Sequence, residues 1–177
     1  SSVLGAIGFE IACSIGGIAY LAAGYFGSLS MKTVDDLIAG YRRFRAGVYA
    51  EQAQLYRELG EGQDPDIMLI ACADSRAEPS DIFNAAPGQM FVVRNVANLV
   101  PPYKPDGGLH GVSSALEFAV RVLKVRHIVV MGHGGCGGVA ASLTENKSPL
   151  IGEFVANWVK LLDEARKRGA SDAEIIV

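Results

Sequence analysis

Two short runs carry the side chains able to do chemistry: Cys72-Ala73-Asp74-Ser75-Arg76 and, well downstream, His133-Gly134-Gly135-Cys136. Two thiolates and one imidazole form a donor set suited to zinc, and three protein ligands leave the fourth tetrahedral position to water, as catalytic zinc sites do. Such an ion is a Lewis acid that brings the pKa of water down towards about 7. Asp74 and Arg76 add what a purely structural site has no use for. A carboxylate beside the ion can accept a hydrogen bond from the reacting water, and a guanidinium can hold that carboxylate ionised through a forked pair. The glycines around Cys136 let backbone come close to an ion, and the helix start that follows can offer N–H donors to thiolates.

Plainer readings compete with this one. Taken singly, Cys72 and Cys136 would be buried inert thiols; only their company with His133 and the Asp74/Arg76 pair argues otherwise. A non-catalytic zinc staple normally has four protein ligands. A thiol–disulfide exchange protein needs neighbouring cysteines, as in CxxC, and this chain has none. Cys13 reads as a small apolar residue, His110 as a loop histidine and His127 as a strand-edge histidine. Arg94 and Asn95 read as residues that satisfy backbone groups at a strand end, with no catalytic role.

The two runs must be brought together by the fold. Thr33 with Asp36 three residues on signals a helix start, and Val34, Leu37, Ile38, Tyr41, Phe44 and Val48 recur at helical spacing. A second helical stretch over Ala50–Leu59 ends at Gly60 and Gly62. Ile67–Ala71, Met90–Val93 and His127–Met131 are apolar runs of the length expected for buried parallel strands. Pro79 opens a short helix, Gly111 begins a longer one with Leu116, Ala119, Val120 and Leu123 on one face, and the glycines after His133 lead into another. Phe154–Arg166 predicts a last amphipathic helix ended by Gly169. Strands alternating with helices imply an α/β fold with a mostly parallel β-sheet flanked by α-helices, and such sheets place ligands at the carboxyl ends of their strands. Cys72 and His133 both fall at such ends.

A chain of 177 residues, half of them hydrophobic, has material for one sizeable core. Its net charge of −3 and pI near 5.6 give no electrostatic reason to bind a polyanion, so nucleic acid is not an expected partner. Three cysteines make no disulfide framework and suit a reducing, cytoplasmic setting. Residues 1–30 differ from the rest, being apolar and Gly-rich with Glu10 as the one charged residue. Val3–Phe26 has the length to span a bilayer, which would make the protein membrane-associated, but it lacks a basic flank and a cleavage site. The favoured reading is an extension, native or artefactual, ahead of a functional start at Met31. Glu174–Val177 begins like a strand that is cut short, so the catalytic domain, residues 31–177, is expected to be incomplete at its C-terminus.

The CxDSR and HxxC motifs, the run from Pro87 to Asn95, the Val100-Pro101-Pro102-Tyr103 loop and the segment Ser114–Val120 together resemble the β-class carbonic anhydrases, over Met31–Val177. The resemblance implies zinc held by Cys72, His133 and Cys136, an Asp74/Arg76 catalytic dyad, and reversible hydration of carbon dioxide to bicarbonate and a proton. It makes Gln63 the hydrogen-bond donor to bound substrate or product and Phe91 and Val96 walls of the carbon dioxide pocket. On spacing alone, these residues read as an ordinary loop glutamine and plain core. Phe118 stands where many members carry a tyrosine, so the apolar wall is kept and a hydroxyl is lost. The resemblance further implies a homodimer or higher homo-oligomer with pocket residues shared between subunits. Some members place the aspartate on zinc and respond to bicarbonate through an N-terminal tryptophan. Here the one tryptophan is Trp158, which favours a constitutively open site.

Overall fold

The computed structural model describes residues 31–143 and 152–167. The apolar head, the strand-like C-terminus and Gly169 lie outside the described residues. No described helix is long and apolar enough to cross a membrane. The chain divides into two compact units, the second of which contributes residues 31–62 to the described part.

That helical unit begins where the sequence signals it. Thr33 accepts from the Asp36 backbone N–H while Asp36 accepts from the Thr33 N–H, a reciprocal capping box that opens α1 (Val34–Ala46). Gly47 breaks the helix, and α2 (Val48–Glu51) and α3 (Ala53–Glu61) follow in place of the single second helix expected from Ala50. Phe44, Tyr49 and Tyr56 pack their rings at centroid distances of 4.8–5.8 Å. Edge-to-face and tilted pairs of this kind add about 0.5–1.5 kcal/mol each beyond their buried area.

The second unit is built on a parallel three-stranded sheet, ordered β2-β1-β3. β1 (Ile67–Cys72) is its centre, with Met68, Leu69, Ile70 and Ala71 all essentially inaccessible. Apolar residues at successive positions suit a strand covered on both faces and paired on both edges. β2 (Met90–Asn95) runs alongside with Met68 opposite Phe91 and Cys72 opposite Asn95, and β3 (His127–Met131) pairs on the other side with Ala71 opposite Met131. The outer strands depart from the expectation of burial: β2 is half-buried, and Ile128 and Val130 of β3 are about half exposed. Among the described residues β3 pairs on one edge only, so its Val/Ile run reflects strand propensity and packing towards β1 and not enclosure on every side.

Helices follow each strand. α4 (Pro79–Ile82) comes after β1, with proline at its start, where a missing N–H costs nothing. α5 (Gly111–Phe118) leads into a wider π-type turn, Ala119–Leu123, closed by Lys124 in the left-handed region. Its Ala115, Leu116 and Ala119 pack with Phe91 and Val93 on Met68 and Ile70, forming the core on one face of the sheet. α6 (Gly137–Leu143), α7 (Glu153–Trp158) and α8 (Asp163–Lys167) gather near the carboxyl end, the last two joined by a 3-10 turn over Val159–Leu162, so the expected helix from Phe154 is really three pieces. Here Cys72, Ala97, Leu99, Cys136 and Val139 form a second core, closed by Trp158, Leu161 and Leu162.

Candidate metal centre

Cys72 is the last residue of β1, and His133 lies two residues beyond the end of β3. Because β1 and β3 are adjacent and parallel, their ends open on the same side of the sheet. Gly135, with φ of +65°, turns the chain back, as glycine does without steric cost, and Cys136 then stands just before α6. The outcome is a buried group: the ligand atoms of Cys72, His133 and Cys136 all lie within 4.8 Å of one another. The two sulfurs are 3.8 Å apart, far beyond the roughly 2.05 Å of a disulfide, and both thiols are free.

His133 is poised as a ligand. Its Nδ1 is 3.1 Å from the Gly134 carbonyl, the arrangement that fixes Nδ1 as donor and leaves the Nε2 lone pair free. Among the described residues, Nε2 is the buried side-chain polar atom left without a hydrogen-bond partner. An orphan of that kind is costly unless something binds it, and a cation between it and two sulfurs fits the donors present. Burial, the largest influence, pushes the Cys136 thiol up, and the neighbouring Cys72 adds to the effect. The backbone N–H groups of Val139 and Gly138 act in the opposite direction by donating to the sulfur.

The Asp74/Arg76 pair forms as the sequence predicts. Arg76 Nε donates to Asp74 Oδ1 at 2.9 Å and Nη2 to Oδ2 at 2.7 Å, while the Arg76 backbone N–H adds a third bond to Oδ1 at 3.0 Å. These donors, the side-chain bonds foremost, hold the Asp74 carboxyl far below the usual carboxylate range. Asp74 Oδ2 lies 3.8 Å from His133 Nε2, next to the ligand cluster and outside hydrogen-bond reach of it. Arg76 Nη2 also donates to the Gly135 carbonyl at 3.2 Å, tying the first run to the second.

A family profile described as carbonic anhydrase matches residues 67–175. The chain belongs to the β-class carbonic anhydrase family. It is 37% identical to beta carbonic anhydrase 3 of Arabidopsis thaliana over 150 residues, 83% of this chain and 57% of that protein. It therefore spans little more than half the length of that curated relative. Among solved structures it resembles the β-carbonic anhydrase CcaA with a TM-score of 0.71 at 31% identity, covering 80% of this chain and 71% of CcaA. It also resembles a structure from the fungus Sordaria macrospora, described as one of two tetrameric β-carbonic anhydrases, with a TM-score of 0.67 at 29% identity, covering 79% and 71%.

The four expected pocket residues of this β-carbonic anhydrase chain are less uniformly placed. Val96 directly follows β2, its Cγ1 packed against Gly138 so closely that a Cβ there would lie 2.7 Å away, and its carbonyl accepts from Trp158 Nε1 at 2.8 Å. That puts Val96 against the helix that follows Cys136. Phe91 and Phe118 stack on each other at 5.8 Å, but Phe91 pairs with Met68, four residues before Cys72 along β1. At about 3.3 Å per residue that sets the Phe91 backbone roughly 13 Å along the sheet from the level of Cys72. Gln63 is exposed in the segment before β1. Asn95 satisfies backbone groups at the strand end, as the sequence suggests: its side chain bonds both the N–H and the carbonyl of Leu99 and so pins the turn behind Cys72. Sequence reasoning passed over Trp158 as a structural closure of the same core. It also gave Arg94 no role beyond a strand end, although its guanidinium reaches the loop after Cys72. The polar type of Arg94 at a strand's carboxyl end signals backbone bonding but not how far the guanidinium reaches.

Proposed function

We propose that this chain catalyses the zinc-dependent, reversible hydration of carbon dioxide to bicarbonate and a proton. The observation that carries the reading is the buried Cys72/His133/Cys136 group with its orphaned Nε2, beside a carboxylate locked by Arg76. Zinc suits the spacing: two sulfurs each about 2.3 Å from one tetrahedral ion stand about 3.8 Å apart, the separation found here. When bound, zinc supplies a Lewis acid that makes water acidic near neutral pH. Asp74 accepts a hydrogen bond from the water that adds to carbon dioxide and so aims its lone pair. Arg76 keeps that carboxylate ionised and in place, and with both of its oxygens engaged Asp74 is held away from the ligand position, which favours a constitutively open site.

Val96 forms an apolar wall for the linear, uncharged substrate, and Gln63 donates to bound bicarbonate. Phe91 and Phe118 complete the pocket of a second subunit, a role consistent with their distance from the ligands of their own chain and with a homodimer as the working unit. The thiols must stay reduced to hold the ion, which suits a cytoplasmic setting.

The test is stopped-flow carbon dioxide hydration, with zinc content measured on the same sample, for the parent chain and Asp74→Ala. Near-stoichiometric zinc with activity lost on substitution is expected. Stoichiometric zinc in a folded but inactive parent would overturn the enzyme reading and leave a zinc staple.

A further inference from the structure

Arg94 lies one residue before the end of β2, opposite Ala71 in the register. Its guanidinium crosses to the loop that follows β1 and meets four acceptors there. Nε donates to the Cys72 carbonyl at 2.9 Å, Nη2 to the Asp74 carbonyl at 2.7 Å and the Ala77 carbonyl at 3.2 Å, and Nη1 to the Glu78 carboxylate. Cys72 carries a ligand sulfur and Asp74 the dyad carboxylate, so the bonded carbonyls belong to the very residues whose side chains must be aimed.

We propose that Arg94 is a positioning residue of the metal centre, holding the loop from Cys72 to Glu78 so that the Cys72 sulfur and the Asp74 carboxylate are presented to the ion together. The inference rests on the metal reading given above. A guanidinium is a rigid planar fork; with acceptors on both its edges it fixes their relative positions, which the point charge of an ammonium does not. Glu78 grips one end of the fork and the carbonyls the rest, so the plane of Arg94 is itself held. The loop is thus secured from two sides: Arg94 binds its backbone from β2, and Arg76 ties it to Gly135 in the second ligand loop. A residue that merely satisfied a strand end would have no need to reach past Cys72 to Asp74 and Ala77.

The experiment uses the full chain as Arg94→Lys and Glu78→Gln, measuring the zinc dissociation constant by chelator competition and the thiolate absorption bands of the Co2+-loaded protein. Far-UV circular dichroism of the apo forms checks folding. For Arg94→Lys the dissociation constant should rise about 10- to 100-fold, the range seen when a group supporting metal ligands is lost, and the Co2+ bands should shift. Glu78→Gln keeps all three carbonyl bonds and should show a smaller rise, about threefold or more, in the same direction. A folded Arg94→Lys chain with parental zinc affinity and unshifted Co2+ bands overturns the proposal. Should Arg94→Lys fail to fold, Glu78→Gln decides, and an unchanged affinity there overturns it equally. A parent chain that binds no zinc overturns the metal reading itself, an outcome distinct from a parent and Arg94→Lys that bind equally well.

Discussion

Replacing Gly138 by alanine tests whether α6 and the turn after β2 are packed as tightly as their contacts indicate. A Cβ at position 138 would stand 2.7 Å from Val96 Cγ1, 2.9 Å from the Ala97 Cβ and 3.3 Å from the Ala97 backbone nitrogen. Carbon atoms prefer about 3.5–4.0 Å, so two contacts must open by roughly 0.6–1.3 Å. The neighbours have little room to give. Ala97 is fully buried and sits in the left-handed region at φ of +64°, Asn98 follows it at +45°, and Asn95 pins the turn through Leu99. The Val96 backbone is held through its carbonyl by Trp158, which leaves its 37%-exposed side chain only rotation about χ1 as relief. Overpacking at a site that cannot relax costs about 1–3 kcal/mol, while alanine in place of glycine near a helix start returns less than about 1 kcal/mol. The net expectation is a loss of about 1–2 kcal/mol. For a chain of this size that lowers Tm by roughly 2–8 °C, read by thermal unfolding of the zinc-free protein so that metal binding does not mask it. Zinc affinity should fall as well, because Cys136 stands two residues before the displaced Cβ. A Gly138→Ala chain that melts at or above the parent would refute the packing argument.

Other expectations follow from the same geometry. Cys136→Ser should lower zinc affinity by at least about 100-fold in chelator competition, since a hydroxyl is a far poorer ligand than a thiolate. Burial raises the Cys136 thiol pKa, so the zinc-free protein gains stability from that group at lower pH and loses it as pH rises through the raised value. Zinc binding has the opposite dependence: it expels thiol protons, so affinity should rise about tenfold per pH unit for each proton released, measurable by titration at pH 6, 7 and 8. Asp74 is depressed far below neutrality, so its stabilising pair with Arg76 is present above the ordinary carboxylate range and fades only as pH falls through the lowered value. Arg76→Leu should let that carboxyl rise back towards its ordinary value and reduce carbon dioxide hydration about 100-fold or more, with zinc content kept.

That Cys72, His133 and Cys136 meet was legible because the signal is carried by residue type and local spacing. Cys72 and His133 each follow an apolar strand, and a parallel sheet delivers strand ends to one side, so two distant motifs converge without any knowledge of side-chain packing. The helix start at Thr33 was legible for the same reason, since a capping box is a local hydrogen-bond exchange. Exposure was not legible. The apolar run His127–Met131 reads the same whether a strand is flanked on one edge or two, and only the strand order β2-β1-β3 shows that β3 stands at the rim of the described sheet. The π-type turn after Phe118 and the 3-10 turn after Trp158 were not legible either, since the apolar spacing runs through both without a break.

Arg94 shows where such reading reaches its limit, and why. As one cation near a strand end, it has no sequence partner: Cys72, Asp74, Ala77 and Glu78 offer three backbone carbonyls, which every residue type carries, and one carboxylate among many. Motifs record the atoms that touch a metal or substrate because those atoms belong to particular side chains. The groups that aim them work largely through backbone, which leaves no imprint on residue type at the receiving end. The pairing of Ala71 with Arg94 and of Cys72 with Asn95 is what turns two polar residues at a strand end into braces for the backbone around Cys72. In this chain the parallel register therefore does two jobs at once: it brings Cys72 and His133 to the carboxyl ends of neighbouring strands, and it lays beside Cys72 the Arg94 and Asn95 side chains that bond the backbone around it.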